Sequence, residues 1–263
     1  MLDLLIYLTA GGLAGTAAGL LGVGGGMVVV PVLLFVFDLR GIDPAVATHL
    51  AIGTTLATVV VTTAGSAYGH YRLGAVDTRL FLRLAMGMVP AAALVGATVA
   101  GYLSGAVLQR VLGTFLLVAS GYMLSGWQPP QRSGGRTERG LTTAGAGIGG
   151  LSALAGIGGG ILTVPYLLWQ GVAMHRAVGT SAASAMPLSL AGALGYLMAG
   201  WGQLQLPAGA TGYIYWPALL ALVVASLAAS SLAARLAHRV PAARLRRLFT
   251  AILLLVALRL LLG

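Results

Sequence analysis

The chain has 263 residues, of which 58% are hydrophobic and 40 are glycine, and only 8% are charged. A soluble domain carries roughly 25% charged residues, so these few charges cannot cover the surface of a soluble protein of this length. The net charge of +10, from 15 arginines against 5 acids with no lysine, then reads as the positive-inside bias of membrane loops and excludes a nucleic-acid surface.

A membrane-crossing helix needs about 20 apolar residues, and the sequence offers eight apolar segments in chain order. They are Leu4–Phe37, Ala45–Gly69, Leu80–Gly101, Ala106–Ser125, Leu141–Trp169, Ala177–Ala199, Gly212–Ala234 and Leu245–Leu262. Their apolar runs are continuous and not alternating, which predicts an all-α polytopic membrane protein and not a barrel. The N-terminal MLDLLIYLTAGG carries an acid and no basic stretch, so it is expected to be a first membrane segment. The polar run from Trp127 to Gly140, rich in proline, glycine and arginine, predicts a linker. This divides the chain into a first repeat at 1–126, a cytoplasmic linker at 127–140 and a second repeat at 141–263.

The repeats rest on an ordered series of matches. Gly22, Gly24, Gly25, Gly26 and Pro31 recur as Gly156, Gly158, Gly159, Gly160 and Pro165, at a constant offset of 134. His49-x₃-Gly53-Thr54-Thr55 recurs as His175-x₃-Gly179-Thr180-Ser181 at an offset of 126, so the first half carries eight extra residues between its proline and its histidine. LQRVLGTFLLVA from Leu108 aligns more loosely with LRRLFTAILLLVA from Leu245. Such internal similarity is the mark of a duplicated architecture.

Arginine placement orients the segments. Eight simple crossings would divide the arginines eight against seven, with no bias. Leu4–Phe37 and Leu141–Trp169 are overlong and glycine-interrupted. If each enters and returns on one side, twelve arginines share a face of net charge +10, and the opposite face nets zero. The positive-inside rule assigns the first face to the cytoplasm. Each repeat then has an odd number of crossings, which predicts two inverted-topology repeats, each a glycine-broken re-entrant or hairpin segment plus three transmembrane helices.

Consecutive glycines open a helix. At membrane depth the freed backbone N–H groups, at the positive end of the following helix dipole, suit an anion. Gly24, Gly25, Gly26, Gly158, Gly159 and Gly160 are therefore candidate substrate-binding residues, with Pro31 and Pro165 as helix breaks. Thr54, Thr55, Thr180 and Ser181 join them, because hydroxyls donate to an anion without the cost of burying a cation. Bonding back to helix carbonyls is the competing role of such hydroxyls. His49 and His175 are candidates for coupling or gating. No acid occupies the middle of a segment, which argues against a carboxylate proton relay and against cation substrates. The sequence predicts no catalytic residues, no metal site and no cofactor, hence no enzyme.

The duplicated G-x-G-G-G-x₄-P from Gly22 and Gly156, each followed by His-x₃-Gly-Thr-Thr/Ser, resembles the TauE/SafE family of membrane permeases, often called sulfite exporters. The resemblance covers nearly the whole chain. It implies a multi-pass protein of a bacterial or archaeal inner membrane that moves small sulfur-containing or organic anions, such as sulfite or organosulfonates, by ion-coupled transport. Thr55 departs from the commoner Gly-Thr-Ser form that Ser181 carries, and the extra residues around Asp38–Asp43 are a second departure. The partners expected are a small anionic substrate and the lipid bilayer, with no nucleic acid. Proton or ion coupling and homo-oligomers stay open, as do a passive small-anion channel and a non-transporting membrane interaction protein. The inferred topology is checked by single cysteines in this cysteine-free chain. Those at Ser133 and Arg239 are expected to label from the cytoplasm, and one at Gln205 from outside, whereas eight simple crossings would put Arg239 opposite Ser133.

Overall fold

The computed structural model describes residues 2–21, 25–126, 140–236 and 242–262. Gly22, Gly24 and linker residues 127–139 lie outside the described residues. The first half contains α1 (Leu2–Leu21), α2 (Gly26–Leu39), α3 (Pro44–Arg72), α4 (Thr78–Leu94), α5 (Ala100–Tyr102) and α6 (Gly105–Ser125). A π-helical turn at Val95–Val99 joins α4 to the short α5. The second half contains α7 (Leu141–Ala155), α8 (Gly160–Trp169), α9 (Met174–Ala199), α10 (Trp216–Leu236) and α11 (Ala242–Leu262). A two-stranded antiparallel ribbon, β1 (Ala210–Thr211) and β2 (Ile214–Tyr215), precedes α10.

Among the described residues, four helical runs are long and apolar enough to cross a membrane: Pro44–Arg72, Thr78–Thr98, Gly105–Ser125 and Met174–Ala199. Leu5, Met86, Val118, Leu194, Leu220 and Leu255 face outward and exposed, an apolar surface suited to lipid. The protein is thus an all-α polytopic membrane protein. Asp43 and Asp77 sit at helix starts, where their carboxylates cap, and Asp38, near the end of α2, pairs with Arg259. Asp43 accepts from the Ala45 N–H at 2.8 Å and Asp77 from the Leu80 N–H at 3.2 Å.

Both glycine-rich segments are broken into two helices. At about 1.5 Å per residue, α7 and α8 reach about 22 and 15 Å, each less than the ~30 Å hydrocarbon core. Their outer ends lie side by side, since the Tyr166 hydroxyl donates to the Gly140 carbonyl at 3.3 Å. The extra residues of the first half lengthen a hairpin. Helix α2 is four residues longer than α8, and α3 starts four residues earlier, relative to its histidine, than α9 does. That extra turn buries His49 at 3% exposure, whereas His175 is exposed.

The helices exchange partners between halves. Helix α1 packs on α10 and α4 on α7, α3 packs along α9, and α6 packs along α11. One buried cluster gathers α1, α2, α3, α6, α10 and α11 around Leu33, Phe37, Leu50, Leu56, Leu116 and Leu222. A second gathers α4, α7, α8 and α9 around Leu84, Met88, Leu167 and Leu188. In lipid the apolar side chains gain little by leaving their surroundings, so such contacts depend on close backbone approach at small residues. Gly11 and Gly15 lie on the backbone of Leu222 and Ser226, and Gly145 and Gly149 lie on that of Leu84 and Met88. These two glycine pairs are related by the offset of 134 already seen in the glycine clusters. Replacing Gly149 with leucine is expected to cost about 3 kcal/mol or more by overpacking. Gly147→Leu, at an exposed position with nothing nearby, is expected to change stability by less than about 0.5 kcal/mol. Thermal unfolding in detergent, followed by loss of monodispersity, measures both.

Candidate functional site

The two glycine breaks meet inside the protein. A Cβ added to Gly26 would stand 2.7 Å from the Gly156 carbonyl oxygen, 3.2 Å from the Ile157 Cα and 3.3 Å from the Thr55 Cγ2. Gly25, the N-cap of α2, lies with its Cβ position 2.8 Å from the Ala14 carbonyl oxygen. On the other side, the added Cβ of Gly156 would touch Val30 and Ile52. The second break needs glycine for its backbone as well. Gly156 ends α7 at φ +68° and Gly159 caps α8 at φ +76°, a region that side chains disfavour.

Pro31 and Pro165 lie inside α2 and α8, one and a half turns past the breaks. Each removes a backbone N–H from a helix already short of bonds.

The structure gives Thr54 and Thr180 a defined task. The Thr54 hydroxyl accepts from the Tyr215 N–H at 2.9 Å, and the Thr180 hydroxyl accepts from the Asp77 N–H at 3.0 Å. The preceding glycines make room for the same connections: Gly53 lies against the Tyr213 carbonyl, and a Cβ on Gly179 would be 2.5 Å from the Ala75 carbonyl oxygen. Each Gly-Thr pair therefore docks the connection that leads into α10 or α4. Arg40 donates to the Tyr215 hydroxyl at 2.7 Å, and Arg176 lies 3.8 Å from Asp77, on the outer edges of these docks. Thr55 donates back to the Ala51 carbonyl at 2.7 Å, and Ser181 is buried beside Thr180.

His49 and His175 are not brought together. His49 Nε2 lies 3.0 Å from the Leu103 carbonyl, and its ring stacks on Tyr213 with centroids 4.9 Å apart. Tyr196 meets Tyr213 edge to face at 6.4 Å. Burial pushes the Tyr213 phenol up in pKa, so it stays protonated at neutral pH.

Sequence reasoning missed three features. Tyr213–Tyr215 sits at the start of an expected membrane segment, Gly212–Ala234, yet it forms the ribbon and the dock. Its signal is Gly209 and Gly212, both at positive φ, before an alternating Tyr-Ile-Tyr. Tyr196 is fully buried next to Gly53. Ser152 is fully buried beside Gly159: the added Cβ of that glycine would be 3.3 Å from the Ser152 Oγ and 3.6 Å from the Thr163 Oγ1. Among the described residues, no group of three or more His, Cys, Asp or Glu side chains could hold a metal ion.

Comparisons with known proteins bear on the family of the chain. The family model described as "Sulfite exporter TauE/SafE" matches residues 7–260. A Haemophilus influenzae protein, "Probable membrane transporter protein", is 32% identical over 260 residues, covering 97% of each chain. "Probable membrane transporter protein MJ0441" of Methanocaldococcus jannaschii is 27% identical over 255 residues, covering 96% of this chain and 93% of its own. "Probable membrane transporter protein YunE" of Bacillus subtilis is 27% identical over 242 residues, covering 84% of each. No solved structure matches.

Replacing Thr54 by valine keeps the shape and leaves the buried Tyr215 N–H without its acceptor, at an expected cost of about 1–3 kcal/mol. Hydrogen exchange at the Tyr215 amide is expected to quicken in Thr54→Val and to stay slow in Thr54→Ser. The Asp77 amide is expected to respond to Thr180→Val in the same way.

Proposed function

From the premise that this chain belongs to the sulfite exporter TauE/SafE family of membrane transporters, we propose that it is a secondary transporter of small anions, sulfite and organosulfonates among them, working as two inverted repeats. The meeting of the two glycine breaks carries the reading, with Gly26 seated on Gly156 and Ile157. Two helix N-termini, α2 and α8, start there in the apolar interior. Such an end carries the equivalent of roughly +0.5 charge and unbonded N–H groups, a setting suited to anions. The anion of this reading sits where the two breaks meet, around Gly25, Gly26, Gly158, Gly159 and Gly160, with Thr55 beside Gly26. Thr54 and Thr180 hold the connections that frame the site.

The helix pairing supports the inverted repeats. Exchanging each first-half helix for its second-half counterpart turns α1–α10 into α7–α4 and leaves α3–α9 and α6–α11 unchanged. Polar contacts sort the connections consistently with two faces. Arg40 with Tyr215, His49 with Leu103 and Arg259 with Asp38 belong to one; Arg176 with Asp77, Thr142 with Arg83 and Tyr166 with Gly140 belong to the other. On this reading the second face, with Arg83 and Arg176, is the cytoplasmic one, and α1–α2 and α7–α8 each enter and leave on one side. Rocking of one helix group against the other about α3 and α9 would expose the glycine breaks alternately. His49, stacked on Tyr213, is the histidine placed to respond to such a movement.

Reconstitution in vesicles tests the reading, with sulfite, sulfate, thiosulfate, sulfoacetate and simple carboxylates offered under opposing anion or proton gradients. Uphill movement driven by a gradient is expected, where a channel would only dissipate one. Gly159→Leu, with a strained φ and the Ser152 and Leu188 side chains in its way, is expected to lower flux at least tenfold in protein that remains monodisperse. Failure of every anion to move would overturn the proposal.

A further inference from the structure

Resting on the transport reading above, we propose that the second glycine break alone holds the substrate, and that it takes a singly charged oxyanion, bound by the first turn of α8 together with the hydroxyls of Ser152 and Ser189. Helix α8 has ten residues, and its N-cap, Gly159, has no side chain to accept from the first turn. Ser152 and Ser189 are both fully buried, and neither Oγ has a hydrogen-bond partner. Both hydroxyls point at the glycines that open α8. The Ser152 Oγ lies 3.3 Å from the Cβ position of Gly159, and the Ser189 Oγ 3.8 Å from that of Gly158. A buried hydroxyl without a partner is destabilising, so two at one helix start mark donors kept for a ligand.

Among the described residues, the first break lacks this equipment. At the two repeat offsets, Ser152 corresponds to Ala18 and Ser189 to Thr63, and the Thr63 hydroxyl donates to the Val59 carbonyl at 2.7 Å. A cavity beside Gly25, lined by Thr58, Val59, Thr62 and Ser226, measures about 10 Å³, room for about one water. Its hydroxyls are engaged: Thr58 with the Thr54 carbonyl, Thr62 with that of Val59 and Ser226 with that of Gly11. Val59 separates this cavity from the second break, its Cγ1 lying 2.9 Å from the Cβ position of Gly158.

The charge of the ligand follows from what surrounds the second break. Every arginine whose side chain is described is exposed, and among the described buried residues His49 is the one side chain that can carry a positive charge. His49 lies ten residues before Val59 on α3, about 15 Å along the axis. The donors left are hydroxyls and backbone N–H groups, all neutral. The cost of desolvating an ion rises with the square of its charge, whereas the helix end offers a fixed fraction of one charge. A monoanion can be balanced on these terms and a dianion cannot.

Methanesulfonate and sulfate are similar in size and shape and differ by one charge. In vesicles containing the full chain, methanesulfonate is expected to compete with the transported substrate at least tenfold better than sulfate. Ser152→Ala and Ser189→Ala are each expected to raise the KM for the monoanion about tenfold. They are also expected to leave the melting temperature of the substrate-free protein unchanged or higher, because each removes an unpartnered hydroxyl. Equal or better competition by sulfate would overturn the charge class, and an unchanged KM in both variants would overturn the site. If no anion moves in the unsubstituted protein, the transport reading falls first and this inference with it.

Discussion

Helices surrounded by lipid gain little from burying apolar side chains against one another, so this protein is held together where its backbones can touch. Gly11 and Gly15 against α10, and Gly145 and Gly149 against α4, bring helices close enough for dispersion contacts between main chains to accumulate. Gly53 and Gly179 do the same for the two connections that lead into those helices. Because these glycines recur in each half, the same contact is made twice, and the exchanged helices α4 and α10 are fixed by equivalent surfaces. The positions of the glycine breaks are set by that framework.

The same absence of water that favours close backbones makes an unbonded polar group costly. The structure meets this demand at many positions by local bonding, although the buried Ser120 and Tyr196 hydroxyls find no partner. Thr55, Thr58, Thr63 and Ser184 return their hydroxyls to the preceding turn, and Thr54 and Thr180 accept from docked backbone. Against that background, unpartnered hydroxyls stand out. Ser152 and Ser189 flank one helix start, while the described hydroxyls beside the other break are engaged. Near-symmetry in the scaffold thus coexists with asymmetry in the described polar contacts.

Much of this was legible in the sequence, and the reasons are specific. The glycine clusters could be matched because glycine is required at Gly156 and Gly159 for positive φ and at Gly26 for contact with Gly156, so few replacements fit. Arginine placement suggested the side-by-side ends of α7 and α8, because charge is expensive in hydrocarbon. The role of Thr54 and Thr180 was less legible. A threonine after a glycine has the same appearance whether it faces a ligand or a loop, and its partners, Tyr215 and Asp77, lie more than a hundred residues away. The ribbon at Ala210–Tyr215 was hidden because Tyr-Ile-Tyr is as apolar as the helix that follows. His49 and His175 looked equivalent, and the extra turn on α2 and α3 separates them into a buried ring and an exposed one.

Exchange of the fourth helix also bears on how the protein is made. Helix α1 is translated before α2 to α9, and the surface that Gly11 and Gly15 form is complementary to α10, which follows them. Helix α4, by contrast, meets α7 soon after its own synthesis. The second helix group can therefore assemble ahead of the first. Until α10 is made, the glycine-lined groove of α1 lacks the helix that fills it in the finished fold.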